Sequence, residues 1–441
     1  MIPRARLSRI FGLALPIIAG MVSQNLLNLV DTAMVGVLGD EALAATGMGS
    51  FVMFVVLSTV MGMGTGVQTV ASRRVGEGRM GEAAVPLNGG LLLSVLLGVP
   101  IGIAFFAAAP HFFPLLVDDP QVADLGIDYT RIRIFSVVAM GWNVSFRGHW
   151  NATDRSRLYM GTIIATHVAN AFLNWVFIYG NLGAPALGTS GAALASALAT
   201  GVGTVVHVSL GFRHARSEGF LATMPSLAEL APVLQTGIPS SIQQLLFAAG
   251  LTAFMWIAGQ LGTAELAMAT VLINLSLVGI LPAMGLGMAS ASLVGQALGR
   301  GNAADAKRWG WQVSFIAVLV VMVVVSPAIV IPAWVLSAFV HEPTTLVIGI
   351  APLRLVGCLL AADAVGLVLL QSLFGAGDAR RVAMVSIGMQ WCLGLPLCYL
   401  LGPVLGFGLF GVWIGHGSYR VGQSVIMAFM WHRGAWANIR V

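Results

Sequence analysis

Charge is what this sequence lacks: only 9% of its 441 residues are Asp, Glu, Lys or Arg, against roughly 25% in an ordinary soluble domain. A water-facing surface cannot be built from so few charges, so the 58% of residues that are hydrophobic must face another solvent. Cysteine is scarce too. Cys358, Cys392 and Cys398 fall in apolar runs without metal-ligand spacing, so no disulfide is expected and each reads as a packing residue. The eight histidines form no ligand cluster, and no nucleophile with an adjacent base is readable, which argues against a membrane enzyme. The first apolar stretch is too long for a signal peptide and runs on through Asp31 without a small-residue cleavage site, so it is expected to be the first spanning helix.

What the sequence does hold is a succession of apolar runs long enough to cross a bilayer, which takes about 20 residues. They predict helices over 7–37, 42–71, 81–110, 122–150, 157–179 and 189–212, then over 228–260, 264–298, 303–335, 345–374, 381–400 and 407–431. A basic chain with 22 Lys and Arg residues might suggest nucleic acid, but these residues sit in small clusters between the runs, and no nucleic-acid partner is expected. The clusters, from Arg4, Arg6 and Arg9 through Arg73, Arg74, Arg300, Lys307 and Arg433 to Arg440, occupy alternate breaks, while the other breaks carry acids such as Asp40, Asp118, Asp119 and Glu342. The positive-inside rule then puts both termini in the cytoplasm of a multi-pass bacterial inner-membrane protein. Arg131, Arg133, Arg354 and Arg420 are left inside helices.

The two halves superpose at a constant offset of 223 residues: Pro16 falls on Pro239, Leu38-Gly39 on Leu261-Gly262, and Gly62, Gly64, Gly76 and Gly78 on Gly285, Gly287, Gly299 and Gly301. An ungapped register of this length is the signature of duplication. The seam is the polar segment from Arg213 to Glu229, giving an N-terminal six-helix lobe over 1–217 and a C-terminal one over 218–441. The expected fold is an all-α membrane protein, twelve transmembrane helices in two pseudo-symmetric six-helix bundles of the same orientation. Secondary transporters place substrate sites at such repeat interfaces.

A carboxylate in the middle of a bilayer helix costs roughly 2.5 to 3.5 kcal/mol on insertion scales, so each one needs a reason. Asp31 lies about two turns short of the outer end of the first helix, and its repeat counterpart is Phe254. Asn170 and Asn174, spaced i to i+4, share one face of the fifth helix, and Ser196 reaches a similar depth in the sixth. Together they read as a proton-coupling or cation site, with a sodium ion at Asp31 as the one metal they suit. The bland alternatives are a carboxylate reaching the headgroups and asparagines that only join helices. Asp363 in the tenth helix, with Gln243 and Gln244 in the seventh, reads as a second polar centre or as a packing contact. Pro16 begins the part of the helix that carries Asp31, and a bend there makes it a candidate conformational hinge. The run Gly62-Met63-Gly64-Thr65-Gly66 has no preceding strand and no lysine at P-loop spacing, so it reads as close helix packing.

These residues resemble the multidrug and toxic compound extrusion (MATE) family, and NorM-like members in particular. The resemblance is carried by the stretches from Val30 to Gly36, from Leu173 to Gly188, and from Asp363 to Val365 with Gly377-Asp378. It implies a V-shaped pair of bundles that exports amphipathic, often cationic, drugs and metabolites by alternating access, as a monomer in the lipid bilayer. No cofactor is implied; the coupling ion is a proton or a sodium ion. It implies a cation role for Asp31, Asn170 and Asn174, a tenth-helix acid at Asp363, and a bending point at Pro16. In one departure, Phe247 stands where NorM-like members often place a glutamate, which shifts weight to the N-terminal site. The nearest rival is a flippase for lipid-linked precursors from the same wider superfamily, with Arg131, Arg133 and Arg354 as phosphate contacts. Such flippases tend towards more helices and a more basic cavity.

Overall fold

A computed structural model of the chain describes residues 2–340 and 342–439; Arg440, one of the basic residues assigned to the cytoplasmic side, lies outside the described residues. Among the described residues there is no strand. The helices are α1 (Arg4–Gly36), α2 (Asp40–Gly76), α3 (Val85–Leu116), α4 (Pro120–Ile134), α5 (Val137–Ala152), α6 (Ser156–Tyr179) and α7 (Gly188–His214). The second repeat has α8 (Leu227–Gly259), α9 (Thr263–Gly299), α10 (Ala303–Val330), α11 (Pro332–Ser337), α12 (Pro343–Ala376), α13 (Ala379–Gly388), α14 (Leu395–Tyr399) and α15 (Gly408–Arg433). Ten helical stretches among the described residues are long and apolar enough to cross a membrane. Of the twelve spans, the other two are α4 with α5 and α15.

Two local departures from the hydropathy reading have physical causes. The fourth span is broken between α4 and α5, where the Ser136 hydroxyl donates back to the Arg133 carbonyl at 2.7 Å and the Ser136 amide reaches the same oxygen at 2.9 Å. A side chain that competes for helix carbonyls in this way favours a turn. The eleventh span, Ala379–Val404, contains two π-helical segments, Met389–Gly394 and Leu400–Val404, on either side of α14. Helix ends are set by familiar devices. Asp119 caps α4 through the amides of Gln121 (2.8 Å) and Val122 (3.4 Å), and Gly180 and Gly377 close α6 and α12 with φ of 75° and 91°, a region that favours glycine.

By packing, the chain forms two units. Residues up to Ile18 join those from Ile242 onward, and Ala19–Ser241 form the other. Both boundaries fall inside a helix, α1 and α8, and they are 223 residues apart, the offset of the sequence repeat. Within the Ala19–Ser241 unit, α2 packs on α3, α4 and α5, and α6 on α7. The first half of α8 is locked to α2 here: a Cβ on Gly62 would strike the Gly237 carbonyl and Ser241, one on Gly66 the Val233 carbonyl, and the Gly62 amide donates to Ser241 Oγ at 3.1 Å. Within the other unit, α12 packs on α9, α10 and α15. The repeat-related glycine, Gly285 of α9, lies against Ile18 of α1. The start of α1 is tied down as well, by an Arg6–Asp305 ion pair, by Arg6 Nη1 donating to Gln312 at 2.7 Å, and by the Arg6 guanidinium over the Trp309 ring at 4.2 Å.

Candidate polar centres in the spans

Helices α1 and α6 meet along a polar seam in the Ala19–Ser241 unit. Asn174 Nδ2 donates to Asp31 Oδ1 at 2.6 Å and also to Asn170 Oδ1 at 3.1 Å, while Asn170 Nδ2 donates to Ser196 Oγ of α7 at 3.1 Å. The four residues read from the sequence thus form one continuous chain of contacts across three helices. Asn170 and Asn174 are almost fully buried at 2% and 1% exposure, so water does not satisfy them. The buried Asn174 Oδ1 has no hydrogen-bond partner among the described residues, and a buried acceptor left in this state is costly. A carboxylate oxygen, an amide oxygen and a hydroxyl within one small volume suit a proton or a hard monovalent cation.

The seam continues towards the N-terminal ends of α1 and α6. His167, on the same face of α6, contacts Ser23 Oγ through Nδ1 at 2.6 Å and Gln24 Oε1 through Nε2 at 3.2 Å. Sequence reasoning missed this histidine. Its signal was faint, a lone imidazole in an apolar run whose spacing to Asn170 and Asn174 puts all three on one helix face.

The second centre is built differently from the expectation. Asp363 of α12 is paired with Arg420 of α15, whose Nη2 donates to Oδ2 at 2.6 Å, and their side chains are 8% and 13% exposed. Gln243 and Gln244 of α8 are half-buried and make no hydrogen bond to Asp363 among the described residues. The reason is electrostatic: a guanidinium in a span needs a counter-charge, and an ion pair outcompetes a neutral amide for the carboxylate. Arg420 was visible in the sequence as an unexplained charge inside a helix. At the place equivalent to Asp31, Phe254 packs edge-on against Trp413 and His416, with ring centroids 5.5 and 5.0 Å away. Phe247, Gln390 and Tyr419 line a small cavity beside them.

Of the remaining arginines in spans, two serve local contacts. Arg131 donates to the Phe106 carbonyl at 3.3 Å and lies over that ring, Arg133 sits over Tyr129 at 6.0 Å, and Arg354 is exposed. Pro16 lies within α1, two residues before the packing boundary at Ile18.

Residues 16–176 and 239–400, well over half of the chain, match the MatE family model, and the two matched stretches start at the repeat-related prolines. The chain is 26% identical to the probable multidrug resistance protein NorM of Pasteurella multocida, over 91% of its own length and 89% of the relative's. It is 28% identical to the protein of the same description from Burkholderia pseudomallei, over 96% and 91%. A crystal structure of a MATE protein in complex with MaL6 superposes with a TM-score of 0.89 at 25% identity, covering 97% of this chain and 96% of that one. The outward-facing conformation of a multidrug resistance MATE family transporter of the MOP superfamily gives 0.90 at 24% identity, over 99% and 97%, a likeness of fold.

Proposed function

Because the chain belongs to the MatE family, a family of multidrug efflux transporters, we propose that it is a secondary antiporter that exports amphipathic, often cationic, small molecules in exchange for protons or sodium ions. In this reading the Asp31 centre is where the coupling ion binds. The observation that carries it is the unbroken contact path from Asp31 through Asn174 and Asn170 to Ser196. A carboxylate held there against an insertion cost of about 3 kcal/mol has a use beyond stability. Its repeat counterpart is the buried Phe254, so the other repeat has no carboxylate at that position to take over. The same reading puts both termini and the Arg213 to Glu229 linker on the cytoplasmic side of the inner membrane, since the basic clusters alternate with the spans.

The test is counter-transport in proteoliposomes, with proton and sodium gradients imposed separately. Asp31→Asn is expected to abolish gradient-driven export at matched expression and normal insertion, because removing the charge lowers the insertion cost rather than raising it. The gradient that drives the wild type identifies the ion. Normal coupled flux in Asp31→Asn would put the coupling site elsewhere.

A further inference from the structure

We infer that His167 is a second proton-binding site, the inner station of a two-station proton path whose outer station is Asp31; the inference rests on Asp31 being the coupling carboxylate. The geometry comes first. His167 with Gln24, and Asn174 with Asp31, are both pairs 143 residues apart. Helices α1 and α6 therefore run parallel and in constant register, and seven residues separate the two pairs on each helix, about 10 Å at the rise of an α-helix. Between the two pairs lie the buried amide Asn170 on α6 and, on α1, the half-buried Leu27 and the exposed Asn28, which accepts from Gln24 Nε2 at 3.2 Å. The exposed Gln24 and Asn28 amides can hold bridging water.

The second observation is that the His167 pocket accepts both charge states of the ring. Gln24 is oriented by its own donation to Asn28, so the atom it turns to Nε2 is its carbonyl oxygen, which can only accept. Nε2 therefore carries hydrogen. Nδ1 faces the Ser23 hydroxyl, which donates to a neutral ring and accepts from an imidazolium, so a proton arrives or leaves with nothing but a hydroxyl rotation. In the transfer step the Asp31 carboxylic acid loses its O–H proton and becomes carboxylate. The Nδ1 lone pair takes that proton through the intervening polar groups, His167 becomes imidazolium, and Ser23 turns to accept. Charge is conserved and no other bond changes.

The other ionisable groups around the seam are Tyr159 on α6, packed against Gly20 of α1, Tyr179 at the end of α6, which donates to the Met34 carbonyl of α1 at 2.8 Å, His207 on α7, held by Trp150 and Thr162, and Arg133 on α4, which acts electrostatically on Asp31. None of them bonds to His167.

The experiment compares wild type, Asp31→Asn, His167→Gln and Ser23→Ala in proteoliposomes under a proton gradient, reading substrate export, proton flux with an internal pH dye, and substrate binding. His167→Gln keeps a hydrogen-bonding amide but cannot titrate. It is expected to lose at least about tenfold in proton-coupled export while substrate affinity stays near that of the wild type. Ser23→Ala removes the acceptor for the imidazolium N–H and is expected to displace the pH–rate profile towards lower pH, an effect that a packing role would not produce. If His167→Gln is unstable, Ser23→Ala carries the test alone. Wild-type export, proton flux and pH profile in His167→Gln, with Asp31→Asn inactive, overturn the relay and leave the coupling site standing. Wild-type coupled flux in Asp31→Asn removes both, whereas wild-type export driven by sodium alone at uniform pH overturns the proton relay and leaves Asp31 as the site of a sodium ion.

Discussion

At the scale of single residues, the Asp363–Arg420 pair changes how a substitution in the second bundle has to be read. With both side chains largely out of water, removing one leaves the other as an uncompensated charge, which costs about 3–5 kcal/mol, whereas replacing both with apolar groups is often neutral. Arg420→Met alone is therefore expected to lower the thermal stability of the purified protein sharply, and the Asp363→Leu/Arg420→Met double variant to recover most of it. Equal melting temperatures for the single and double variants would refute the pairing. Loss of transport in Asp363→Asn would, by the same logic, report a stranded arginine before it reported a lost ion site. Sequence alone shows that Asp363 and Arg420 are each unusual in an apolar run, but it cannot show that they meet, because they lie on different spans 57 residues apart. Asp31, Asn170, Asn174 and Ser196 were legible because depth along each helix is countable from its ends. His167 was not, since its meaning depends on Ser23 and Gln24, which only the α1–α6 register brings to it.

Among helices, glycine decides how closely neighbours approach. A methyl group on Gly62 would meet the Gly237 carbonyl, which is backbone and cannot swing away, while one on Gly161 of α6 meets nothing within 4 Å. Gly62→Ala is expected to destabilise the protein by about 1–3 kcal/mol through overpacking. Gly161→Ala should be neutral or stabilising by up to about 1 kcal/mol, from helix propensity. Thermal melts of the two variants in the same detergent check the contrast, and equal losses would contradict it. Hydropathy located the spans well because burial in lipid imposes one length on all of them. It was blind to the turn at Ser136 and to the π-helical segments around α14, which arise from backbone hydrogen bonding rather than from apolar content. It was equally blind to which half of α1 packs where.

For the whole molecule, the repeat seam and the packing boundary are different things: the covalent duplication joins at the linker, while the units divide inside α1 and α8. The linker itself is held within the Ala19–Ser241 unit. Glu218 lies 3.1 Å from His149 Nε2 and 2.7 Å from Arg155, its backbone carbonyl accepts from the Ala84 amide, and Asn88 brackets Gly219 and Leu221. Burial pushes the Glu218 carboxyl up, but His149 and Arg155 together outweigh it and hold the group below the ordinary glutamate range. A carboxyl whose folded pKa is depressed contributes stability that is fully present above its unfolded value, about 4.3, and lost as pH falls through the folded value. The melting-temperature gap between wild type and Glu218→Gln should accordingly be present at about pH 5 and close below about pH 4. A gap that instead widened on acidification would have the sign wrong.

The division inside α1 also has a consequence for biosynthesis. The first four turns of the chain find their packing partners among residues after Ile242, and the ion pair that anchors Arg6 is made to Asp305. A ribosome adding roughly 5–20 residues per second takes on the order of 15–60 s to reach that aspartate. For that interval the N-terminal segment of α1 sits in the bilayer without its docking site. The first repeat can therefore be inserted, but its opening helix cannot be seated until α9 and the first turns of α10 have been made.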